Sequence, residues 1–173
     1  MAFHIPATTP TSIPLFTIRK AERSDCGLIL QFIKDLATYE RMLGEVVATE
    51  ETLAGYLFGE KAFAYVVIGE YNGQPVGFAL FFTNFSTFLG RPGIYLEDLF
   101  VKPEFRGRGF GKTMLAFLAK LAVDNQFGRV EWSVLDWNEP AIHVYKSIGA
   151  SPMDDWTVFR LTGLDLQGMD KKL

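Results

Sequence analysis

Glu97-Asp98-Leu99-Phe100-Val101-Lys102-Pro103-Glu104-Phe105-Arg106-Gly107-Arg108-Gly109-Phe110-Gly111-Lys112 is the stretch that decides the reading of this chain. The run Ile94–Val101 reads as a strand, and the glycine-rich segment Arg106–Gly111 follows it directly. From about Lys112 to Asp124 the apolar residues Met114, Leu118, Leu121 and Ala122 recur on one helical face. A strand thus runs through a glycine-rich turn into a helix. The first N–H groups of that helix have no internal acceptor and carry partial positive charge, so they suit an anion such as a pyrophosphate. Glycines let the backbone approach phosphate oxygens with no side chain between them.

From Lys102 to Lys112 there are four basic residues and one acidic residue, in a chain that is acidic overall. The nucleotide-binding P-loop needs a glycine where this chain has Arg106, and the dinucleotide pattern counted from Gly107 needs one where it has Lys112. Both fail. What remains is Arg106, Gly109 and Gly111 in the pattern R-x-x-G-x-G, directly after a strand.

Outward from this segment, strands and helices mix. Leu15–Lys20 reads as a strand, and Ser24 as the cap of a helix with Cys26, Ile29, Leu30, Ile33, Leu36 and Ala37 on its apolar face, ending near Gly44. Thr49, Glu50 and Glu51 start a second helix through Leu57. Phe63–Glu70 and Val76–Thr83 are strands joined by the tight turn Asn72-Gly73. Arg129–Leu135 reads as a strand, Asn138 to about Ser147 as a helix, and Trp156–Thr162 as a last strand. An early hairpin and a late strand–helix–strand unit predict an α/β fold with a mixed sheet. Residues 1–14, rich in Thr and Pro, read as a flexible extension, and residues 15–173 as a single domain.

Composition narrows the function. With 173 residues, 49% apolar and 21% charged, the chain has a globular balance, and a fold of this size buries roughly 70% of its unfolded surface. A net charge of −3 argues against nucleic-acid binding. A single cysteine, Cys26, excludes an internal disulfide framework, and two histidines, His4 and His143, make no metal site expected. No apolar run approaches a membrane span, and the N-terminus lacks a secretory pattern, so no membrane association and a cytoplasmic location are expected.

The loop and its setting resemble the coenzyme A pyrophosphate loop of the GNAT family of N-acetyltransferases. Tyr95-Leu96-Glu97-Asp98, Trp137-Asn138-Glu139-Pro140 and Tyr145-Lys146 resemble its spermidine/spermine branch and thialysine-acetylating relatives. The likeness covers roughly residues 15 to 162. It implies the GNAT fold, a mixed, mostly antiparallel central sheet of six to seven strands flanked by about four helices. It also implies acetyl-CoA as co-substrate without a metal, a small-molecule amine acceptor and a homodimer.

Roles follow from this resemblance. The loop residues Arg106, Gly107, Arg108, Gly109, Phe110, Gly111 and Lys112 would hold the pyrophosphate. The pantetheine arm would pair with Leu99, Phe100 and Val101, and a backbone N–H near Leu99 or Phe100 would stabilise the carbonyl oxygen. An alkyl amine arrives protonated at neutral pH, so a carboxylate must attract it and take its proton, directly or through a water. Glu97 and Asp98 are the obvious pair; on a regular strand they face opposite sides, and a bulge would change this. In the resembled family the residue matching Glu97 accepts the proton, which leaves Asp98 a substrate or structural carboxylate. The residue matching Tyr145 protonates the leaving thiolate. Tyr145 lies seven positions after Asn138 on the same helix, so both would line one side of a cofactor cleft and bind the cofactor; a simply packed tyrosine and a simple N-cap remain the alternatives.

Residues 35 to 60 carry Asp35, Glu40, Glu45, Glu50, Glu51 and Glu60 against Arg41, a face that draws cations or is merely solvated. Tyr39-Glu40 matches a substrate-site pair of the family, and Asp154 and Asp155 fall where the family contributes a further acidic group. Ser86 and Phe88 stand where the polyamine enzymes carry an Asp and a Trp. The leading acceptor is a diamine or polyamine. Thialysine-like amino acids and protein amines come next, and a non-catalytic acyl-CoA sensor is the rival from another class.

Overall fold

The computed structural model describes residues 4–170. It contains two compact units, one running to Ser133 and the other starting at Val134.

The first unit is built on a six-stranded sheet. β1 (Thr8–Pro10), β2 (Phe16–Lys20), β3 (Tyr65–Tyr71), β4 (Gln74–Ser86), β5 (Arg91–Val101) and β6 (Val130–Trp132) lie side by side in chain order. Every neighbouring pair is antiparallel except β5–β6, which is parallel. The β3–β4 hairpin turns on Asn72 and Gly73 with φ of 51° and 75°, the doubly left-handed turn that matches strand twist. β1 and the buried Ile5 lie inside the stretch expected to be a flexible extension; Thr9 is instead paired with Ile18, tying this segment to the sheet.

Helices α1 (Cys26–Tyr39), α2 (Glu50–Phe58) and α3 (Phe110–Asp124) complete this unit. On one side Ile29 and Phe32 of α1 pack with Leu57 of α2 and with Val66, Ile68, Phe78 and Phe100 of the sheet. On the other side α3 buries Phe110, Met114 and Leu118, with Phe16 stacked on Phe110 at 4.2 Å between ring centroids. A Cβ at Gly69 would run into Phe16 and Met114, so a glycine on β3 lets α3 lie close.

Two expectations for α1 are corrected. Ser24 is not its cap: it lies in a 3-10 turn, Arg23–Asp25, and Asp25 accepts the Glu22 N–H at 2.7 Å. Arg19 grips the same carboxylate with both Nη groups at 2.7 and 2.9 Å and donates Nε to Glu70 at 2.7 Å, which pins the turn to β2 and β3. The helix also stops before Gly44. Arg41 takes φ of 63°, Arg41 N–H donates to Thr38 O, and Met42 N–H to Ala37 O, closing the helix just after Glu40.

The second unit holds α4 (Glu139–Ser147) and α5 (Gly163–Asp170). The strand expected at Trp156–Thr162 is not formed. The segment has the apolar residues of a strand, yet the described part of its unit contains no strand to accept its backbone bonds, and Trp156 and Phe159 are 70% and 92% exposed. Among the described residues no helix is long and apolar enough to cross a membrane.

Candidate active site

β5 is where the site begins. Along β4 its register runs Ala79 opposite Leu99 and Leu80 opposite Asp98, but Phe81 opposite Leu96, so Glu97 is the extra residue of a β-bulge. The bulge breaks the alternation that would have sent Glu97 and Asp98 to opposite faces. Past it, Phe100 packs toward Phe32 of α1, with ring centroids 6.2 Å apart, and Asp98, two positions earlier, shares that face. Glu97 is exposed; Asp98 is partly buried.

The far edge of β5 is open here. The β5–β6 ladder ends at Leu96–Trp132, and among the described residues Asp98–Val101 pairs only with β4. Lys102 N–H donates to Val76 O at 2.9 Å, so alternation along the antiparallel ladder turns the N–H and C=O groups of Leu99 and Val101 toward that open edge. Arg106 Nε takes up Val101 O at 2.8 Å, as this orientation requires.

The end of α1 supplies the acidic side. Burial raises the pKa of Glu40. Burial also pushes Asp98 up to about 6, helped by the negative charges of Glu97 and Glu40. These three carboxylates therefore act on one region of space, and Asp98 is the one whose proton affinity is tuned toward neutral pH.

At the C-terminal end of β5 the chain enters the loop. Gly107 and Gly109 have φ of 75° and 83°, left-handed values that a side chain would resist. Gly109 begins α3, its carbonyl accepting from Thr113 N–H at 2.9 Å, and no side chain caps this helix. The first-turn N–H groups are therefore left for an anion. A Cβ on Gly107 would meet nothing within 4 Å, so the glycine leaves an open cradle at the exposed loop. Arg106, Arg108 and Lys112 are exposed around it. Arg108 lies over the rings of Phe105 and Tyr71 at 5.4 and 5.6 Å, and Arg106 over those of Tyr39 and Phe100 at 4.6 and 5.4 Å. Left-handed glycines, an uncapped helix start and poised guanidinium groups fit a phosphate-bearing anion.

The structure thus brings Tyr39, Glu40, Glu97, Asp98, the β5 edge from Leu99 to Val101 and the loop from Arg106 to Lys112 into one unit. Asn138, Tyr145 and Asp155 belong to the other. Asn138 caps α4 there, its Oδ1 accepting from Ala141 N–H at 3.4 Å. Tyr145 is partly buried on α4, and Asp155 lies in an exposed turn. The stacking of Arg106 on Tyr39 has no signature in the sequence, because contact between residues so distant in the chain leaves no periodic trace.

Residues 30–150 match the model of the acetyltransferase (GNAT) family. The chain is 38% identical over 157 residues to the thialysine N-epsilon-acetyltransferase of Bos taurus, covering 84% of this chain and 92% of that protein. It is 34% identical over 213 residues to the L-ornithine N5-acetyltransferase NATA1 of Arabidopsis thaliana, covering 96% and 93%. Among solved structures, an integron cassette protein from the mobile metagenome of V. cholerae superimposes with a TM-score of 0.76 at 27% identity, covering 91% of this chain and 98% of that one.

The chain belongs to the GNAT acetyltransferase family. It is an enzyme of that family, an N-acetyltransferase.

Proposed function

We propose that this enzyme transfers the acetyl group of acetyl-CoA to the primary amine of a small molecule, by direct attack with both substrates bound. The carrying observation is that an anion-binding helix start and an acidic group, Glu40, Glu97 and Asp98, flank the same open stretch of β5. Bound acetyl-CoA supplies an activated thioester. The Arg106–Lys112 loop holds its pyrophosphate, and the free edge at Leu99–Val101 aligns its arm as an added strand would lie. Leu99 N–H, turned to that edge, is the donor for the carbonyl oxygen.

Proton removal is assigned to the Glu97–Asp98 pair. Exposed Glu97 meets the incoming ammonium ion. Asp98 titrates at about 6 and is matched to a general base near neutral pH. The family resemblance favours Glu97 as the base, and the pH profiles of the two variants decide between them. The family resemblance assigns Tyr145 as the donor that protonates the leaving thiolate, Asn138 as a cofactor residue and Asp155 as an amine residue.

The acceptor is a short molecule with a terminal primary amine. A diamine suits the three carboxylates. An ornithine- or lysine-like amino acid is supported by the names of the relatives above, and by Ser86 and Phe88 in place of the polyamine enzymes' Asp and Trp. The rest of the reading is a single domain that takes in β1 together with residues 15–173, since β1 belongs to the sheet and the family match runs across the division after Ser133. It also includes a homodimer and a cytoplasmic location, in keeping with the free, buried Cys26.

Initial velocities with acetyl-CoA varied against putrescine, spermidine, ornithine, thialysine and a basic peptide test this reading. Intersecting lines with at least one of these amines are expected. Parallel lines would overturn direct attack, and preference for a peptide amine would overturn the small acceptor.

A further inference from the structure

Resting on the reading above, we propose that Tyr39 is a positioning residue for coenzyme A, acting through Arg106. Its ring lies 4.6 Å beneath the Arg106 guanidinium, and Phe100 lies 5.4 Å from the same group. Nε of Arg106 is bonded to Val101 O, whereas neither Nη group is bonded among the described residues. The fork is therefore held by one nitrogen and two ring faces, and its Nη donors are not engaged by any described residue. An exposed arginine otherwise loses considerable side-chain entropy when it binds an anion; a guanidinium already stacked loses less. Cation–π contact at a partly exposed site is strong enough to matter for affinity without holding the fold together.

The placement of Tyr39 gives this contact a second consequence. Tyr39 is the last residue of α1, and Glu40 follows it directly. The closure of α1 at Arg41 fixes both, so the ring that supports the phosphate loop is joined through one peptide bond to a carboxylate of the amine site. Tyr39 thereby serves coenzyme A binding although it sits in sequence beside an amine-site residue.

The test is equilibrium binding of coenzyme A by calorimetry to wild type, Tyr39→Phe, Tyr39→Leu, Arg106→Met and the Tyr39→Leu/Arg106→Met double variant, each with its melting temperature. The expected result is about tenfold weaker binding for Tyr39→Leu and a change within twofold for Tyr39→Phe, which keeps the ring. The double variant should bind no more weakly than Arg106→Met alone, a coupling that a merely structural role would not produce. The KM of Tyr39→Leu for acetyl-CoA should rise in step with its weaker coenzyme A binding. Should Tyr39→Leu fail to fold, Tyr39→Met takes its place in the same cycle. Unchanged binding in Tyr39→Leu, equal losses in the Phe and Leu variants, or additive losses in the double variant would overturn the proposal. Failure of the wild-type protein to bind coenzyme A would instead overturn the functional reading on which it rests.

Discussion

Asp98 on β5 and Glu40 at the end of α1 are carboxylates brought to one region by a β-bulge and a helix terminus. Burial, then the charge of Glu97, then that of Glu40, raise the pKa of Asp98 to about 6. An acid held there is largely ionised at neutral pH and still basic enough to take a proton from a bound ammonium group. The acid limb of kcat/KM should therefore fall near pH 6, with the apparent value belonging to the coupled group. Glu40→Gln removes a like charge, lowers the Asp98 pKa and moves the limb to lower pH. Asp98→Asn should abolish the limb with at least a tenfold loss of rate, whereas Glu97→Gln should chiefly raise KM for the amine. A limb that disappears in Glu97→Gln and survives in Asp98→Asn would make Glu97 the base.

The same carboxylate weakens the fold. Its folded pKa lies above the ordinary 3.8, so the native state binds the proton more tightly than the unfolded chain does. Stability consequently falls as pH rises from about 4 to 6 and stays lower above that window. Asp98→Asn should stabilise the protein by about 2 kcal/mol at pH 8 and by almost nothing below pH 4, read from denaturant midpoints.

Asp25 shows the opposite sign. Its hydrogen bonds to Arg19 outweigh burial and hold its carboxyl below the usual carboxylate range, with the Glu22 N–H adding to them. That contribution is complete above the ordinary carboxylate pKa and is lost as pH falls through the lowered folded value. Arg19→Gln should cost about 2 kcal/mol at pH 7 by leaving Asp25 and Glu70 without their cation. The deficit should shrink toward zero in the most acidic range where both proteins stay folded.

Gly109→Ala places a Cβ on a residue with φ of 83° at the start of α3. The left-handed conformation alone costs roughly 1–2 kcal/mol. Coenzyme A binding should weaken about tenfold or more, measured by calorimetry. Alanine at Gly111, an ordinary helical position whose Cβ would meet only Val101 Cγ2 at 3.8 Å, should disturb the fold far less.

Tyr145→Phe removes the proposed proton donor and little else. It should lower kcat by tenfold or more while leaving the dissociation constant of coenzyme A within about twofold. A parallel loss of both would assign Tyr145 to binding.

Much of this arrangement was legible in the sequence because it is local. The Asn72-Gly73 turn, the apolar face of α3 and the R-x-x-G-x-G spacing each lie within a few residues of one another, where periodicity and glycine chemistry speak directly. The end of α1 is hidden in the sequence because Arg41 adopts a left-handed conformation more often seen with glycine. Ser24 does not cap α1 because a 3-10 turn precedes the helix, and Asp25, which stands at the N-cap position, has its carboxylate engaged by Arg19 on β2 and not by the helix, a tertiary pairing. Trp156–Thr162 has a strand's pattern, but strand formation needs a partner edge, which pattern alone does not supply. The bulge at Glu97 depends on the register against β4, and so does the environment that sets Asp98 apart from its neighbour.

The most direct measurement is release of free thiol from acetyl-CoA by the purified enzyme at pH 8, with and without ornithine, thialysine, putrescine or spermidine, with the amine product identified by mass. The account predicts thiol release that needs the amine and matches N-acetylated product mole for mole. Tight acetyl-CoA binding with no thiol release above background for any of these amines would contradict it.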